Sequence, residues 1–173
     1  GINMKELILK FIEEIKYEKN YSDLTIKGYL SNLNSFLEFL NENNIKNYND
    51  VEYQDIRLYI THLYDEDYNN KTISRYISAL RSFFKYLKTN NYIDNNPCVL
   101  VSNPKSDKKL PKYLNFEETE KLLNSFDNNN YLGLRNSLIL EILYSTGIRV
   151  SEISNLKLKD VSLSNKSIKI IGK

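Results

Sequence analysis

Apolar side chains recur at helical spacing in four separate stretches before residue 90, and each recurrence leaves a polar face behind it. Leu7, Ile8, Phe11, Ile12 and Ile15 predict a helix over 4–18. Ser22 is placed to cap a second helix, whose stripe is Ile26, Tyr29, Leu30, Leu33, Leu37 and Leu40 and whose opposite face carries Lys27, Ser31, Asn34 and Glu38. The Asn-rich run 41–50 ends it, and Asp50 is expected to cap a third helix bearing Ile56, Tyr59, Ile60 and Leu63. A polar turn at 65–71 leads into a fourth, with Ile73, Ile77, Leu80, Phe84 and Leu87 in line. One apolar face per helix is the pattern of a small bundle, and roughly 90 residues can bury a modest core. With only five Gly and three Pro in the chain, long uninterrupted helices are expected.

Asn96-Pro97 stops the helical pattern. Residues 97–112 hold all three prolines and four lysines without periodicity, and read as a stiff, basic linker between a first domain at 4–96 and a second part at 113–173. Gly1-Ile2-Asn3, ahead of Met4, reads as a cloning scar. In the second part, Asn115 is a candidate cap for a helix over 116–126 with Glu117 and Glu118 in its first turn. An apolar helix is expected from about 132 to 146, ended by Gly147, then a short one at about 150–156. The period then changes to two: Ile168 and Ile170 flank Lys169, and Ser164-Asn165-Lys166 forms the turn of a β-hairpin. The predicted class is mainly α, a four-helix domain followed by an α+β part with a partial sheet that reads as truncated.

Composition narrows the chemistry. Cys98 is the only cysteine and His62 the only histidine, so neither a disulfide, a Cys/His metal site nor a Ser-His-Asp triad is expected, and no metal or cofactor is called for. No apolar run approaches the roughly 20 residues of a membrane span. A reducing cytosol is the simplest setting for a lone cysteine. The frequent Asn, Lys, Ile and Tyr are ascribed to an AT-rich genome. Charge is segregated: residues 1–67 carry 7 basic and 13 acidic side chains, whereas residues 68–112 carry 9 and 2. That basic stretch suits a polyanion-binding surface; a solvated helix face followed by a basic linker is the plainer alternative.

The run Tyr144-Ser145-Thr146-Gly147-Ile148-Arg149-Val150-Ser151-Glu152 ends an apolar helix and sets an arginine where the next begins. Arginine opposes the helix dipole there, but guanidinium and helix N-terminus together suit a phosphate. An exposed or ion-paired surface arginine is the other reading.

The Thr-Gly-apolar-Arg-apolar-Ser-Glu run resembles the tyrosine-type site-specific recombinases, and most closely their Xer-like branch. Leu156, Leu158 and Asp160, and then Ile171-Gly172-Lys173 at the following strand, fit the same pattern. Upstream, Thr25, Tyr29, Leu33 and Phe36 are similar to the second helix of that family's SAM-like core-binding domain. Thr72, Arg75, Ser78-Ala79-Leu80-Arg81, Phe83-Phe84 and Tyr86-Leu87 are similar to its fourth, and Asn96-Pro97 and Leu110-Pro111-Lys112 to its linker.

The resemblance implies two domains that clamp duplex DNA, a tyrosine that attacks a scissile phosphodiester to give a 3′-phosphotyrosyl link, and no metal. It implies that Arg149 steadies transition-state charge and that Lys173 is the general acid. It implies that tetramers of protomers act on double-stranded DNA, in the cytoplasm at the nucleoid. The family's His-x-x-Arg motif and nucleophilic tyrosine have no counterpart in this sequence. His62 lies in the wrong domain, and none of the 14 tyrosines has the expected position, Tyr144 being expected to pack in the core. Strand cleavage by this chain alone is therefore not expected.

The expected DNA face comprises Lys71, Arg75, Ser78, Arg81, Lys85 and Lys88 on the fourth helix, with Lys27, Ser31 and Asn34 on the second. Lys105, Lys108, Lys109 and Lys112 would track the backbone, although a linker free of DNA is an equal reading. Two further accounts of the chain remain at this level: a stand-alone module that occupies recombination sites without cutting, and a helical interaction protein with no DNA role.

Overall fold

The computed structural model describes residues 3–17, 21–105 and 110–170. It divides into two compact units, Gly1–Lys108 and Lys109–Lys173.

The first unit holds α1 (Met4–Tyr17), α2 (Asp23–Glu42), α3 (Tyr53–Asp65) and α4 (Asn70–Thr89). Their starts are set by short polar side chains. Asn3 accepts from the Glu6 N–H at 2.8 Å, Ser22 from Thr25 at 3.3 Å and Asn69 from Thr72 at 3.0 Å. Asp50 does not cap α3. It closes a 3-10 turn, Tyr48–Asp50, and the Asp55 carboxylate instead accepts from the Glu52 N–H at 2.8 Å. The intervening turn pulls Tyr48 and Val51 into the core, which moves the cap two residues on.

The ends share one device. Asn44 (φ 60°), Asp67 (φ 60°) and Asn91 (φ 57°) adopt left-handed backbone after α2, α3 and α4. The next residue's N–H reaches back each time: Ile45 to Leu40 at 2.9 Å, Tyr68 to Leu63 at 3.1 Å, Tyr92 to Leu87 at 2.9 Å. Asn and Asp tolerate this conformation because their short side chains bond locally. Some of the asparagine that reads as compositional bias therefore performs the work glycine does elsewhere.

α4 packs against α1, α2 and α3. Its buried face is broader than the expected stripe, taking in Tyr76, Ala79, Phe83 and Tyr86 as well as Ile73, Ile77, Leu80, Phe84 and Leu87. Aromatic rings fill the centre: Phe36 lies 4.9 Å from Tyr59 and 6.0 Å from Phe84, both edge-on, and Phe83 lies 5.4 Å from Phe11. The core continues past Pro97, because Cys98 and Val101 are buried in the same cluster. The first third of the stretch that reads as linker is thus part of the helical unit.

The second unit contains α5 (Phe116–Leu123), α6 (Tyr131–Thr146), α7 (Val150–Ser154) and a hairpin of β1 (Val161–Ser162) and β2 (Ser167–Ile168), with Val161 opposite Ile168. Asn115 and Glu118 cap α5 reciprocally, at 2.8 and 2.9 Å. Among the described residues, every buried apolar side chain belongs to the first unit. The apolar residues of α6 are spread round the helix between Arg135, Asn136, Glu141 and Ser145, and Leu134, Leu138 and Tyr144 stay exposed, Tyr144 by 62%. The expectation that Tyr144 is packed is therefore corrected: α5 and α7 contact α6 but leave much of its apolar surface uncovered.

Candidate nucleic-acid interface and arginine corner

α2 and α4 flank a groove of about 630 Å³ lined by Leu24, Thr25, Gly28 and Asn32 on one side and Ser74, Arg75 and Ser78 on the other. Tyr29 ties the two helices, its hydroxyl 3.4 Å from Ser82 Oγ. Arg75 and Ser78 are exposed, and Ser78 Oγ donates to the Ser74 carbonyl at 2.8 Å. Lys71 and Lys85 are also exposed on α4.

The α2 residues expected on the DNA face lie beside this groove and do not line it. Lys27 and Ser31 are exposed and Asn34 half-buried, but none of them lines the groove. Thr25, Gly28 and Asn32 do, because the groove runs along the margin of the apolar stripe and not opposite to it. An isolated glycine inside a helical pattern was the available signal.

Arg81 has another occupation. Its Nη2 donates to the Val101 carbonyl and its Nη1 to Asn103 Oδ1 at 3.2 Å, so the guanidinium fastens the segment after Pro97 onto α4. Lys88 likewise donates to the Asp94 carbonyl. Lys105 is exposed, and its carbonyl accepts from Asn70 Nδ2 at 2.9 Å. Lys108 and Lys173 lie outside the described residues, whereas Lys112 is described and exposed.

The arginine corner is built by local geometry. Thr146 Oγ1 donates to the Ile142 carbonyl, Gly147 turns at φ 68°, and the Gly147 N–H closes on Leu143 at 3.0 Å. Ile148 then leads to Arg149, the residue before α7. The Arg149 N–H donates to Glu152 Oε2 at 2.7 Å, and its Nη1 lies 3.0 Å from Glu152 Oε1. The backbone bond, aided by the guanidinium, holds the Glu152 carboxyl below its ordinary range. The Arg149 side chain is 77% exposed, so most of the guanidinium remains open to an anion.

His62 rests against Phe39 and Tyr59, with ring centroids 5.6 and 6.3 Å away, as a rim residue of the helical core. Among the described residues no cluster of three or more His, Cys, Asp or Glu side chains could hold a metal, and no helix is long and apolar enough to cross a membrane.

A four-helix unit followed by a smaller one of three helices and a hairpin resembles the phage integrase N-terminal domain and the start of the catalytic domain. The model for the phage integrase N-terminal SAM-like domain matches residues 8–91, and that for the phage integrase family matches residues 112–173. The chain belongs to this family, the tyrosine recombinases. Tyrosine recombinase XerC of Bacillus pumilus is 44% identical over 171 residues, covering 99% of this chain and 56% of the relative. The chain thus spans a little over half the length of the curated relatives it matches. Among solved structures, a lambda integrase tetramer bound to a Holliday junction superimposes with a TM-score of 0.75 at 16% identity, over 94% of this chain and 44% of that one. The Tn1549 transposon integrase in complex with circular intermediate DNA gives 0.69 at 21%, over 97% and 53%. At these identities the likeness is one of fold.

Proposed function

We propose that this chain is the DNA-engaging front part of a Xer-type recombinase that cleaves and rejoins duplex DNA through a 3′-phosphotyrosyl intermediate. The observation that carries the reading is the corner at 146–152, where a left-handed glycine delivers an exposed arginine to the start of a helix. Positive charge fixed in advance where a phosphorane develops its charge is the central requirement of phosphoryl transfer. Arg149 fills that role in the parent enzyme, and Lys173 supplies the proton to the leaving 5′-oxygen.

The first unit binds double-stranded DNA through α2 and α4. Lys71, Arg75 and Lys85 meet phosphates and Ser78 lies beside them, with Lys27, Ser31 and Asn34 at the flank and Lys105 and Lys108 along the crossing segment. Arg81 supports this surface by holding the chain after Pro97 in place. The parent works as a tetramer of protomers on DNA in the cytoplasm, at the nucleoid. This chain alone lacks the tyrosine nucleophile and binds without cutting.

Titrating the chain against a mixed-sequence duplex at several salt concentrations tests the binding. Affinity is expected to fall steeply with salt, and Arg75→Ala to flatten the dependence. Salt-independent binding, or none, would remove the DNA assignment. In the full-length parent, Arg149→Ala is expected to abolish cleavage while leaving site binding largely intact; retained cleavage would remove the catalytic role.

A further inference from the structure

Gly28 sits in the interior of α2, which runs Asp23–Glu42. Glycine weakens a helix interior because it surrenders the most backbone freedom on folding, so its presence there calls for a compensating reason. Two reasons are available inside a protein, and neither applies. The backbone at Gly28 is not left-handed, since among the described glycines only Gly147 has positive φ. Nor does close packing exclude a side chain: a Cβ added at Gly28 meets nothing within 4 Å. Gly133 shows the contrast, because a Cβ there would fall 1.7 Å from the Asp127 carbonyl oxygen.

What Gly28 does have is a position. It is exposed, it lines the groove between α2 and α4, and it lies one turn after Leu24 and one turn before Asn32 on the same helix face. Leu24 is 80% exposed, an apolar side chain left in water at the rim. Arg75 and Ser78 line the α4 side. The helix backbone is bare at Gly28, and hydrogen-bonding side chains stand on both walls of the groove.

We propose that Gly28 is a specificity-determining position, where the edge of a DNA base enters the α2–α4 groove against the uncovered helix backbone. The inference rests on the reading that this unit binds duplex DNA. It adds that the protein forgoes helix stability at residue 28 to admit the base edge. The neighbours suit that edge: Asn32, Ser78 and Arg75 can bond to it, and Leu24 offers apolar contact.

The test is parallel selection from a randomised duplex pool by the wild-type chain, Gly28→Ala and Gly28→Leu, with melting temperatures measured for all three. Gly28→Ala is expected to melt higher, by about 4–8 °C, because the methyl group finds open space and the helix gains propensity. It is also expected to bind the duplex enriched by wild type about tenfold more weakly, the scale of one lost base contact, and Gly28→Leu more weakly still. Both variants should enrich a motif changed at the positions facing the groove. Unchanged affinity and motif would overturn the inference while leaving DNA binding intact. A uniform loss of affinity with the same motif would also overturn it, because Gly28 would then meet only backbone. If wild type enriches no motif but still binds duplex, Gly28 determines no specificity and the inference fails alone. If wild type binds no duplex, the DNA reading fails and takes the inference with it.

Discussion

Arg81→Met separates a structural role from a DNA-contacting one on a single helix face. The substitution keeps the aliphatic stem and deletes the guanidinium, which donates to Val101 O and, at 3.2 Å, to Asn103 Oδ1. A hydrogen bond from a charged donor contributes about 1.5–3 kcal/mol when desolvated. Here Arg81 is half-buried and Asn103 exposed, so the Asn103 bond is screened and the contribution comes mainly from the bond to Val101, itself buried. About 1–2 kcal/mol is a reasonable total. For a unit of roughly 100 residues each kcal/mol shifts the melting temperature by about 4–8 °C, so Arg81→Met should melt about 4–16 °C lower. Arg75→Ala, an exposed change, should leave melting unmoved. In a salt titration against a mixed-sequence duplex the order reverses: Arg75→Ala should reduce the log–log slope by about 0.9, one phosphate contact, while Arg81→Met leaves it nearly unchanged. If Arg81→Met melts like wild type and flattens the salt dependence as Arg75→Ala does, Arg81 is a DNA contact and the fastening argument is wrong.

Three other outcomes follow from the geometry. Burial pushes the Cys98 thiol from its ordinary 9.0 up to about 12, against a small opposing pull from Arg81. Because the folded value lies above the unfolded one, the thiol's contribution is complete below about pH 9 and is lost as pH rises towards about 12. The urea midpoint should therefore fall over that window, and Cys98→Ala should fall less; equal pH dependence in the two proteins would show that Cys98 is not the group responsible. Gly133→Ala should disrupt the 127–133 turn at the start of α6, at about 1–3 kcal/mol, and speed hydrogen exchange there, because the new methyl collides with the Asp127 backbone. Phe36→Ala removes a fully buried ring packed on Tyr59 and Phe84 and should destabilise the first unit by about 3–5 kcal/mol in urea unfolding; a loss under 1 kcal/mol would mean that the aromatic centre repacks freely.

The helices were legible because their information is periodic and local. Every residue of the expected α4 stripe is buried, Ser22 and Asn115 cap as their side chains suggest, and Gly147 ends α6 in the left-handed conformation. Features that depend on tertiary packing were not legible. Asp50 loses the α3 cap to Glu52 and Asp55 because Tyr48 and Val51 are drawn into the core, which no reading of cap residues alone reveals. Cys98 and Val101 carry no periodicity, yet they complete the core. Arg81 looks identical to Arg75 in a charge pattern; its bonds to Val101 and Asn103, some 20 residues later, distinguish them. The groove-lining residues of α2 were missed for a related reason: periodicity finds the buried face and its opposite, whereas a groove between helices runs along the boundary.

The two units divide the requirements of such a protein unequally. The DNA-binding surface proposed for the first unit requires rigidity before binding, and α2 and α4 are fixed by a core of packed aromatic rings beneath them. In the role proposed for it, Arg149 needs rigidity even more, since a cation that must reorganise during a reaction stabilises little. Its corner is held by bonds within a few residues: Gly147 to Leu143, Arg149 to Glu152, Thr146 to Ile142. Those bonds fix the turn's shape, but α6 beneath it exposes Leu134, Leu138 and Tyr144 and has no buried apolar side chain among the described residues. Locally capped helices without a core open readily. Hydrogen exchange should therefore be fast along α6 and slow along α4 in this chain, and slow along both in the proposed full-length parent. Equal protection of α6 in the two proteins would mean that the arginine corner is already as rigid here as catalysis requires, and that covering α6 contributes nothing to it.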